Sequence, residues 1–358
     1  MPTGITGLAD DLMSPRLLAE AGPGSYDRLL ALLRALRDDE RLLAPLRAAW
    51  EGREFHGIYA RPLLVLAALR YLALGDDAHP LGPEVLADAE APALEARLLE
   101  ALADPALVPI LRARHIQTNE PGRALGWGLV ALALDLPHRG FALCEIGSSA
   151  GLNLVADLAP FDVRFGNQKV STLDFPSPWR RVGLDRAPVD VRDADASRWL
   201  TACIWPGQPD RLARFSAAAD VWRRRWLGDA PPPELRAHEL GEGATAAILT
   251  DLEADERVSA VLAFESVVDP HLDPDVRERY HAEMRAWVAG GARRLWVDLN
   301  PAPPDPRGAG SGPMRLRVHG RSGGDVVAFE LARTDYHPTG CVLAPGALAR
   351  LKALWSAA

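Results

Sequence analysis

The chain contains little cysteine and almost no lysine. Its 358 residues include three cysteines, Cys144, Cys203 and Cys341, which are too few and too scattered to predict a disulfide framework or a zinc site. We therefore expect a reducing, cytoplasmic compartment. The only lysines are Lys169 and Lys352 among many arginines. We interpret this bias as genomic base composition rather than mechanism.

Signals for secretion, membrane insertion and nucleic-acid binding are also lacking. The segment Met1–Ile5 has no basic region and no apolar core, and the longest apolar run, 63–74, is interrupted by Arg70 and too short to span a bilayer. The net charge of −8 disfavours non-specific binding to nucleic acid. We expect neither a membrane nor a nucleic-acid partner, and the substrate stays open between small molecules and proteins, as does the oligomeric state.

Secondary-structure patterns divide the chain at about residue 136. Before it the apolar residues follow helical spacing, and no convincing strand pattern occurs. Strands and helices alternate from Phe141 onwards, and two strands, at about 314–319 and 325–332, flank Gly320–Gly324 as an antiparallel hairpin. This order predicts an α/β fold: a Rossmann-like, mostly parallel sheet with a C-terminal antiparallel hairpin and an N-terminal helical cap. We expect a helical domain at 1–113 and the sheet domain at 114–358.

The segment Phe141–Asn153 is the most informative stretch. Its first four residues are apolar, which suits a strand buried on both faces, and Glu145 follows at the strand's carboxyl end. Gly147–Gly151 forms a turn of small residues, and Leu152–Leu158 resumes with helical spacing. A strand, a tight turn and a helix form the first half of a nucleotide-binding unit. The ligand would approach the backbone, facing the free N–H groups of the helix.

Asp185 is the second candidate for nucleoside binding. It ends an apolar segment, and a carboxylate there can accept hydrogen bonds from both hydroxyls of a ribose. The spacing exceeds the roughly 20 residues expected after a glycine turn, so this interpretation requires 160–180 to be an insertion. The alternative is an ordinary turn aspartate before Ala187 and Pro188.

The polar loop Arg114–Arg123 also has two interpretations. It is either a helix cap or a lid over the ligand, in which Gln117, Asn119 and Arg123 contact polar groups of the cofactor. His115 is a candidate general base in this loop. The other candidate bases lie further along the chain and are Glu265, Asp298 and His337. The histidines have no metal-ligand spacing, and we expect no metal site.

The turn after the first strand also matches the nucleophile elbow of hydrolases, G-x-S-x-G, with Ser149 as nucleophile. Asp269 and His337 would complete a triad in the order Ser, Asp, His. However, such an elbow should follow several strands rather than the first, and no H-G-G-G segment occurs to form an oxyanion hole. We keep a serine hydrolase as a minor alternative.

The run Glu145-x-Gly147-x-Ser149-x-Gly151 resembles the cofactor turn of S-adenosylmethionine-dependent methyltransferases, with serine in place of the middle glycine. The resemblance covers roughly residues 115–335 and implies a methyltransferase-type sheet. In that superfamily the carboxylate faces the methionine end of the cofactor. The implied cofactor-binding residues are Glu145, Gly147, Ser148, Ser149, Gly151, Asn153 and Asp185, joined by Gln117, Asn119 and Arg123.

The chain also resembles a bacterial family called domain of unknown function 2332. The residues that carry this resemblance occur in the family's order and are Gln117–Arg123, Glu145–Asn153, Gly183–Asp190, Arg198–Gln208 and Arg211. The family implies a methyltransferase-like fold and supplies no reaction. We therefore expect an S-adenosylmethionine-dependent methyltransferase of unknown substrate, with Glu265, His115 and His337 as catalytic candidates. The alternative is a non-catalytic nucleoside or small-molecule binding protein with a degenerate fold of this type.

Overall fold

The computed structural model describes residues 4–15, 17, 24–55, 60–224, 230–302 and 314–356. The chain divides into two compact units. The first comprises Met1–Thr118 with Asp193–Leu212, and the second comprises Asn119–Arg192 with Ala213–Ala358. The first boundary lies five residues after the predicted one, and residues 193–212 belong to the first unit.

Helices occur both before the first strand and between the later strands. In the described ranges they are α1 Leu8–Leu12, α2 Ser25–Ala35, α3 Glu40–Trp50, α4 Ala60–Ala73, α5 Gly82–Ala87, α6 Leu94–Leu102, α7 Leu107–Ala113, α8 Leu125–Ala133, α9 Ala194–Ala202, α10 Pro209–Arg224, α11 Thr245–Asp251, α12 Pro274–Ala289 and α13 Ala347–Ser356. None of these helices is long and apolar enough to cross a membrane.

The first unit is helical and has its own apolar core. Helix α4 is apolar on nearly all sides, and Leu64, Leu66 and Leu69 are almost fully buried within the core. Such a helix belongs in the centre of a helical cluster. Its neighbours are amphipathic: α3 begins at the cap Asp39, whose carboxylate accepts the N–H of Arg41, and buries one face.

The second unit contains a ten-stranded mixed sheet. Its strands are β1 Ala142–Ile146, β2 Asp162–Phe165, β3 Gln168–Ser171, β4 Arg180–Asp185, β5 Glu234–Ala237, β6 Val261–Ser266, β7 Arg294–Pro301, β8 Met314–Ser322, β9 Asp325–Thr334 and β10 Gly340–Leu343. The order across the sheet is β3-β2-β10-β9-β8-β7-β6-β1-β4-β5. Strands β5, β4, β1, β6 and β7 run parallel to one another.

The remaining strands extend the sheet with mixed directions. β8 and β9 form the predicted C-terminal hairpin, with β8 antiparallel to β7 and β9 antiparallel to β8. β10 continues antiparallel to β9 and parallel to β2, which pairs with β3 as a second hairpin. The α/β class and the predominance of parallel pairing are therefore confirmed, and the first described strand of the sheet is β1.

Strand register shows which side chains lie on each of the two faces of the sheet. Ile146, Glu265 and Asp298 are in register on adjacent strands, and so are Glu145, Phe264 and Val297. Residues in register share a face, whereas consecutive residues point to opposite faces. Glu145 and Glu265 therefore lie on opposite faces of the sheet.

A different layer covers each face. The face of Glu265 packs against α11 and α12, whose Leu249, Tyr280 and Met284 share a core with β1 and β6. On the other face, α8 approaches the sheet closely at Gly126, where an added Cβ would lie 2.8 Å from the ring of Phe264. Gly126 permits this close packing because it has no side chain.

The segment Leu152–Leu158 is helical as predicted, but it is a 3₁₀-helix. Its period of three residues brings Leu154 and Asp157 to the same side. There the carbonyl of Leu154 and the carboxylate of Asp157 both accept hydrogen bonds from Arg181, which is 2 % exposed. A buried ion pair thus favours the tighter winding at this position.

Candidate functional site

The turn Gly147–Gly151 lies at the carboxyl end of β1 and has an unusual backbone. Gly147 and Gly151 have φ of 72° and 67°, and Ser149, with a side chain, has φ of 49°. At Gly147 an added Cβ would also lie 2.6 Å from Val268 Cγ2. Only glycine meets both conditions at Gly147, and Ser149 holds a conformation that costs a non-glycine residue free energy.

The N–H groups of this turn donate to acceptors within the protein. Gly147 and Ser149 donate to Leu184 O and Asp185 Oδ2 at 2.8 Å and 2.7 Å. The N–H of Ser148 donates to Leu184 O at 3.0 Å, and that of Ala150 donates to Asn119 Oδ1 at 3.3 Å. The N–H of Gly151 donates to Ser148 O at 2.8 Å. All five N–H groups of the turn thus have acceptors within the protein, and the predicted approach of a ligand to the N–H groups of the following helix stays a prediction.

Asp185 holds this turn in place. Its Oδ2 accepts from the N–H of Ser149, and its Oδ1 accepts from the N–H of Ala187 at 2.9 Å. The next loop also contacts the turn, because Val189 donates its N–H to the carbonyl of Ser149 at 3.1 Å. These are the bonds of a turn aspartate, and the ribose role of Asp185 stays a prediction.

Asn119 contacts the same turn from the polar loop before α8. Its Nδ2 lies 3.2 Å from Ser149 Oγ, and its Oδ1 accepts from Ala150. Arg123, 5 % exposed, donates through Nε to the carbonyl of Tyr336 at 3.2 Å. The part of the loop that belongs to the second unit, Asn119–Arg123, is thus joined to the turn after β1.

Glu120, next to Asn119, organises a second group of polar side chains. Its Oε1 accepts from the N–H of Gly122 and from Nε of Arg214, each at 3.0 Å. Nδ1 of His337 lies 3.4 Å from its other oxygen. From the sequence, Glu120 was part of the segment Gln117–Arg123 but had no assigned role, and Arg214 was not singled out.

Two predicted loop residues belong to the first unit instead. His115 accepts from Nε1 of Trp199 through its carbonyl at 2.9 Å, and its Nδ1 lies 3.1 Å from Arg53. Gln117 hydrogen-bonds the thiol of Cys203 through its backbone. Their predicted roles in base catalysis and cofactor binding stay predictions.

Glu145 is the most distinctive ionisable group near the turn. It is 2 % exposed, and its Oε1 accepts from Nδ2 of Asn153 at 2.7 Å. Burial raises the pKa of Glu145 to about 8, although the charge of Arg123 acts in the opposite direction. In the described part of the chain, Glu145 Oε2, Asn153 Oδ1 and Ser148 Oγ are buried without a hydrogen-bond partner. Glu145 and Asn153 contact each other, so their unpaired oxygens belong to one pair of side chains, and Ser148 lies in the turn between them in the chain.

Apolar side chains pack against the side of the turn that faces β5. An added Cβ at Gly183 would lie 2.5 Å from Leu235 Cδ2 and 2.6 Å from Ser148 Oγ. At Gly151 it would lie 2.9 Å from Leu235 and 3.1 Å from Trp222. The flank of the turn towards β5 is therefore occupied by protein.

Glu265 is the centre of a second polar cluster, on the other face of the sheet. It is fully buried; its Oε2 accepts from the hydroxyl of Tyr280, and its Oε1 accepts from Nδ2 of Asn300 at 2.9 Å. Burial, together with repulsion from Asp298, raises the pKa of Glu265 to about 8. Because Glu265 and Glu145 lie on opposite faces of the sheet, they cannot line the same pocket.

Asp298 is paired with a histidine and an arginine. His319 Nε2 lies 2.7 Å and Arg317 2.9 Å from its oxygens. Burial would raise the pKa of Asp298, but the hydrogen bond from His319 and the charge of Arg317 hold it below its ordinary value. His319 also stacks on Trp296, with ring centroids 4.1 Å apart.

Asp269 and His281 border the same cluster. Oδ1 of Asp269 lies 2.7 Å from Nε2 of His281, and both residues are partly buried. Between Glu265 and Asp269 the chain passes through Val267, whose φ of 59° is unusual for a β-branched residue. Sequence reasoning missed His281, because it lies twelve residues from Asp269 on a helix.

The hydrolase triad is not assembled by the hydrogen bonds of these residues. Oγ of Ser149 is bonded to Asn119, Asp269 pairs with His281, and His337 lies beside Glu120. Ser149 shares with a nucleophile elbow its strained φ, its G-x-S-x-G pattern and its position after a strand.

Comparison with known proteins gives one match. A family model described as an uncharacterized protein conserved in bacteria (DUF2332) matches residues 19–341. No curated protein and no solved structure matches the chain. Since the matched range covers most of the 358 residues, the chain belongs to the bacterial DUF2332 family.

Proposed function

We propose that the second unit is an S-adenosylmethionine-dependent methyltransferase domain, acting on a small-molecule or protein substrate. The observation that carries this proposal is the group of unpaired buried acceptors at Glu145, Asn153 and Ser148. A buried carboxylate with one unsatisfied oxygen is costly unless a donor meets it. A ligand that brings a cation to Glu145 would remove that cost.

The methionine end of the cofactor has the required chemistry. Its ammonium group offers three donors, which suit Glu145 Oε2 and Asn153 Oδ1. Its carboxylate suits the guanidinium of Arg123, whose charge acts on Glu145. The nucleoside end would then extend towards Asn119, Ser149 and Asp185. When bound, the cofactor supplies an activated methyl group, and the protein positions the acceptor in line with it.

The strand order supports a ligand at this edge. Strands β5-β4-β1-β6-β7 follow the order 3-2-1-4-5 of nucleotide-binding α/β sheets when they are numbered along the chain. In such sheets the ligand lies at the carboxyl ends where the strand order reverses, which here is between β1 and β6. A methyltransferase-type topology is the finer interpretation that we propose for this sheet.

Proton removal from the substrate would need a base near the turn. Among the three candidates, His337 lies 3.4 Å from the buried carboxylate of Glu120, a pairing that suits a histidine base. Glu265 faces the opposite side of the sheet from Glu145, and His115 belongs to the first unit. We therefore favour His337 for this role.

A second candidate function is non-catalytic binding of a nucleoside or small molecule. It is favoured by two observations at the turn: the N–H groups of 147–151 are bonded within the protein, and Leu235 and Trp222 fill one flank. A domain that has kept the fold and lost methyl transfer would have these features.

Calorimetric titration of the full chain with S-adenosylmethionine and S-adenosylhomocysteine tests the proposal. We expect binding by the wild type and a loss of roughly tenfold or more in affinity for Glu145→Gln, because the neutral amide cannot pair with an ammonium. Glu278→Gln, which makes the same change at an exposed position of α12, is the matched control.

Three outcomes distinguish the candidates. Binding that depends on Glu145 supports the methyltransferase site. Binding of adenosine alone, unaffected by Glu145→Gln, favours the second candidate. No heat and no thermal shift with either cofactor form at millimolar concentration refutes the methyltransferase proposal.

A further inference from the structure

The cluster on the other face of the sheet offers a set of metal ligands. One ligand atom each from Glu265, Asp269 and His281 can be chosen so that all three lie within 4.8 Å of one another. They come from the end of β6, the turn after it and helix α12, so the fold rather than a local motif brings them together.

The separations are close to those of ligands on one ion. With metal–nitrogen and metal–oxygen bonds of about 2.0–2.2 Å, two ligand atoms can be at most roughly 4.4 Å apart. The upper limit of 4.8 Å exceeds this by only a few tenths of an ångström. Asp269 Oδ1 and His281 Nε2 lie 2.7 Å apart, which is close to the separation of neighbouring ligands. Small side-chain rotations would bring all three onto one ion.

A fourth oxygen points to a ligand independently of these three residues. Asn300 is 6 % exposed, and its Oδ1 is buried with no hydrogen-bond partner among the described residues. Its Nδ2 lies 2.9 Å from Glu265 Oε1, so the unpartnered Oδ1 belongs to an amide that contacts that carboxylate. An amide oxygen at this position needs a donor or a cation.

The charge balance of the cluster also favours a cation. Glu265 interacts electrostatically with both Asp269 and Asp298, and Arg317 interacts with all three carboxyls. Repulsion from Asp298 and Asp269 opposes ionisation of Glu265. A divalent ion beside these carboxyls would offset that repulsion.

We propose that Glu265, Asp269 and His281 bind a divalent transition-metal ion, with Asn300 Oδ1 as a further ligand. The mixed set of carboxylate oxygens and one imidazole nitrogen suits Mn²⁺ or Zn²⁺ better than Mg²⁺ or Ca²⁺, which prefer oxygen alone. The site goes beyond the proposed methyltransferase function. It lies on the face opposite Glu145, so its test does not depend on cofactor binding.

The test is a titration of the chelator-treated full chain with each of two metal ions. Binding of Mn²⁺ is measured from the electron paramagnetic resonance signal of the free ion, and binding of Zn²⁺ is measured by calorimetry. We expect one ion per chain and a thermal shift that rises with metal concentration. Asp269→Asn and His281→Gln should each weaken binding roughly tenfold or more. Both side chains are about one-fifth exposed, so these near-isosteric changes should leave the fold intact.

His271→Gln is the matched control, since His271 is an exposed histidine ten residues before His281. It should bind the metal as the wild type does. Absence of binding of both ions at about 1 mM would overturn the proposal. Unchanged affinity in Asp269→Asn and His281→Gln, whose folding circular dichroism would verify, would overturn it as well.

Discussion

The buried carboxyl of Glu145 predicts an unusual dependence of stability on pH. Its pKa is raised from the ordinary 4.5 to about 8, because burial penalises the ionised form. The folded state therefore holds a proton that the unfolded state has released. The stabilisation is complete below the unfolded pKa and is lost as the pH rises towards the folded pKa.

The magnitude follows from the two pKa values. Between them, the free energy of unfolding should fall by about 1.4 kcal/mol per pH unit on account of this group. From about pH 5 to about pH 7.5 the loss is about 3 kcal/mol, and the whole range amounts to about 5 kcal/mol. Glu145→Gln resembles the protonated carboxyl and cannot ionise. Over that pH interval, the free energy of unfolding of Glu145→Gln should therefore rise by about 3 kcal/mol relative to that of the wild type.

Urea unfolding at a series of pH values measures this difference, since urea does not screen charges as guanidinium would. Because the chain has two compact units, hydrogen exchange of the β1 amides provides a local measure of the opening free energy around Glu145. Glu278→Gln serves again as the control and should follow the wild-type curve. A wild type and a Glu145→Gln variant that differ by the same free energy at every pH would refute the reasoning.

Three further predictions concern the second unit. Arg181→Met leaves the buried carboxylate of Asp157 unpaired and should cost about 3–5 kcal/mol in chemical denaturation; a cost below about 1 kcal/mol would contradict the pairing. Gly128→Ala places a methyl 2.1 Å from the ring of Phe175 and should lower the free energy of unfolding by about 1–3 kcal/mol, measured in the same way. Asn119→Ala removes two hydrogen bonds to the turn after β1 and should cost about 1–2 kcal/mol, with faster exchange of the Ala150 amide. Unchanged exchange at Ala150 would show that Asn119 does not hold the turn.

The features of the fold that depend on local pattern were predictable from the sequence. The apolar run at 141–146 and the paired runs around Gly320–Gly324 carry their own secondary-structure signal, and the structure has strands at both. The assignment of 193–212 to the first unit was not predictable, because it depends on long-range packing of Trp199 against the core of that unit. The two short strands β2 and β3 join the far edge of the sheet through β10, a pairing that no local pattern specifies.

The candidate site shows the same division between local and long-range information. The tight turn was predictable from its small residues, and Asn119, named from the sequence as a residue of the loop over the ligand, contacts that turn. The use of Asp185 to hold the turn did not follow, since an aspartate at a strand end serves a ribose or a backbone N–H equally well. The partners His281 and His319 of the second cluster come from a distant helix and strand.

Strand register determines the surroundings of Glu145 and Glu265, the two carboxyls whose pKa is raised. Both Glu145 and Glu265 lie near the carboxyl ends of neighbouring parallel strands, and the sequence alone predicts that they share an edge of the sheet. The pairing of Ile146 with Glu265 shifts them by one residue, and with a period of two this shift turns them to opposite faces. Glu145 meets an asparagine and nearby guanidinium, which suit a zwitterionic ligand; Glu265 meets a second carboxylate, an amide and a nearby histidine, which suit a metal ion. The sheet therefore separates the two proposed sites, so a substitution at Glu145 leaves the charged groups around Glu265 in place, and the reverse holds as well.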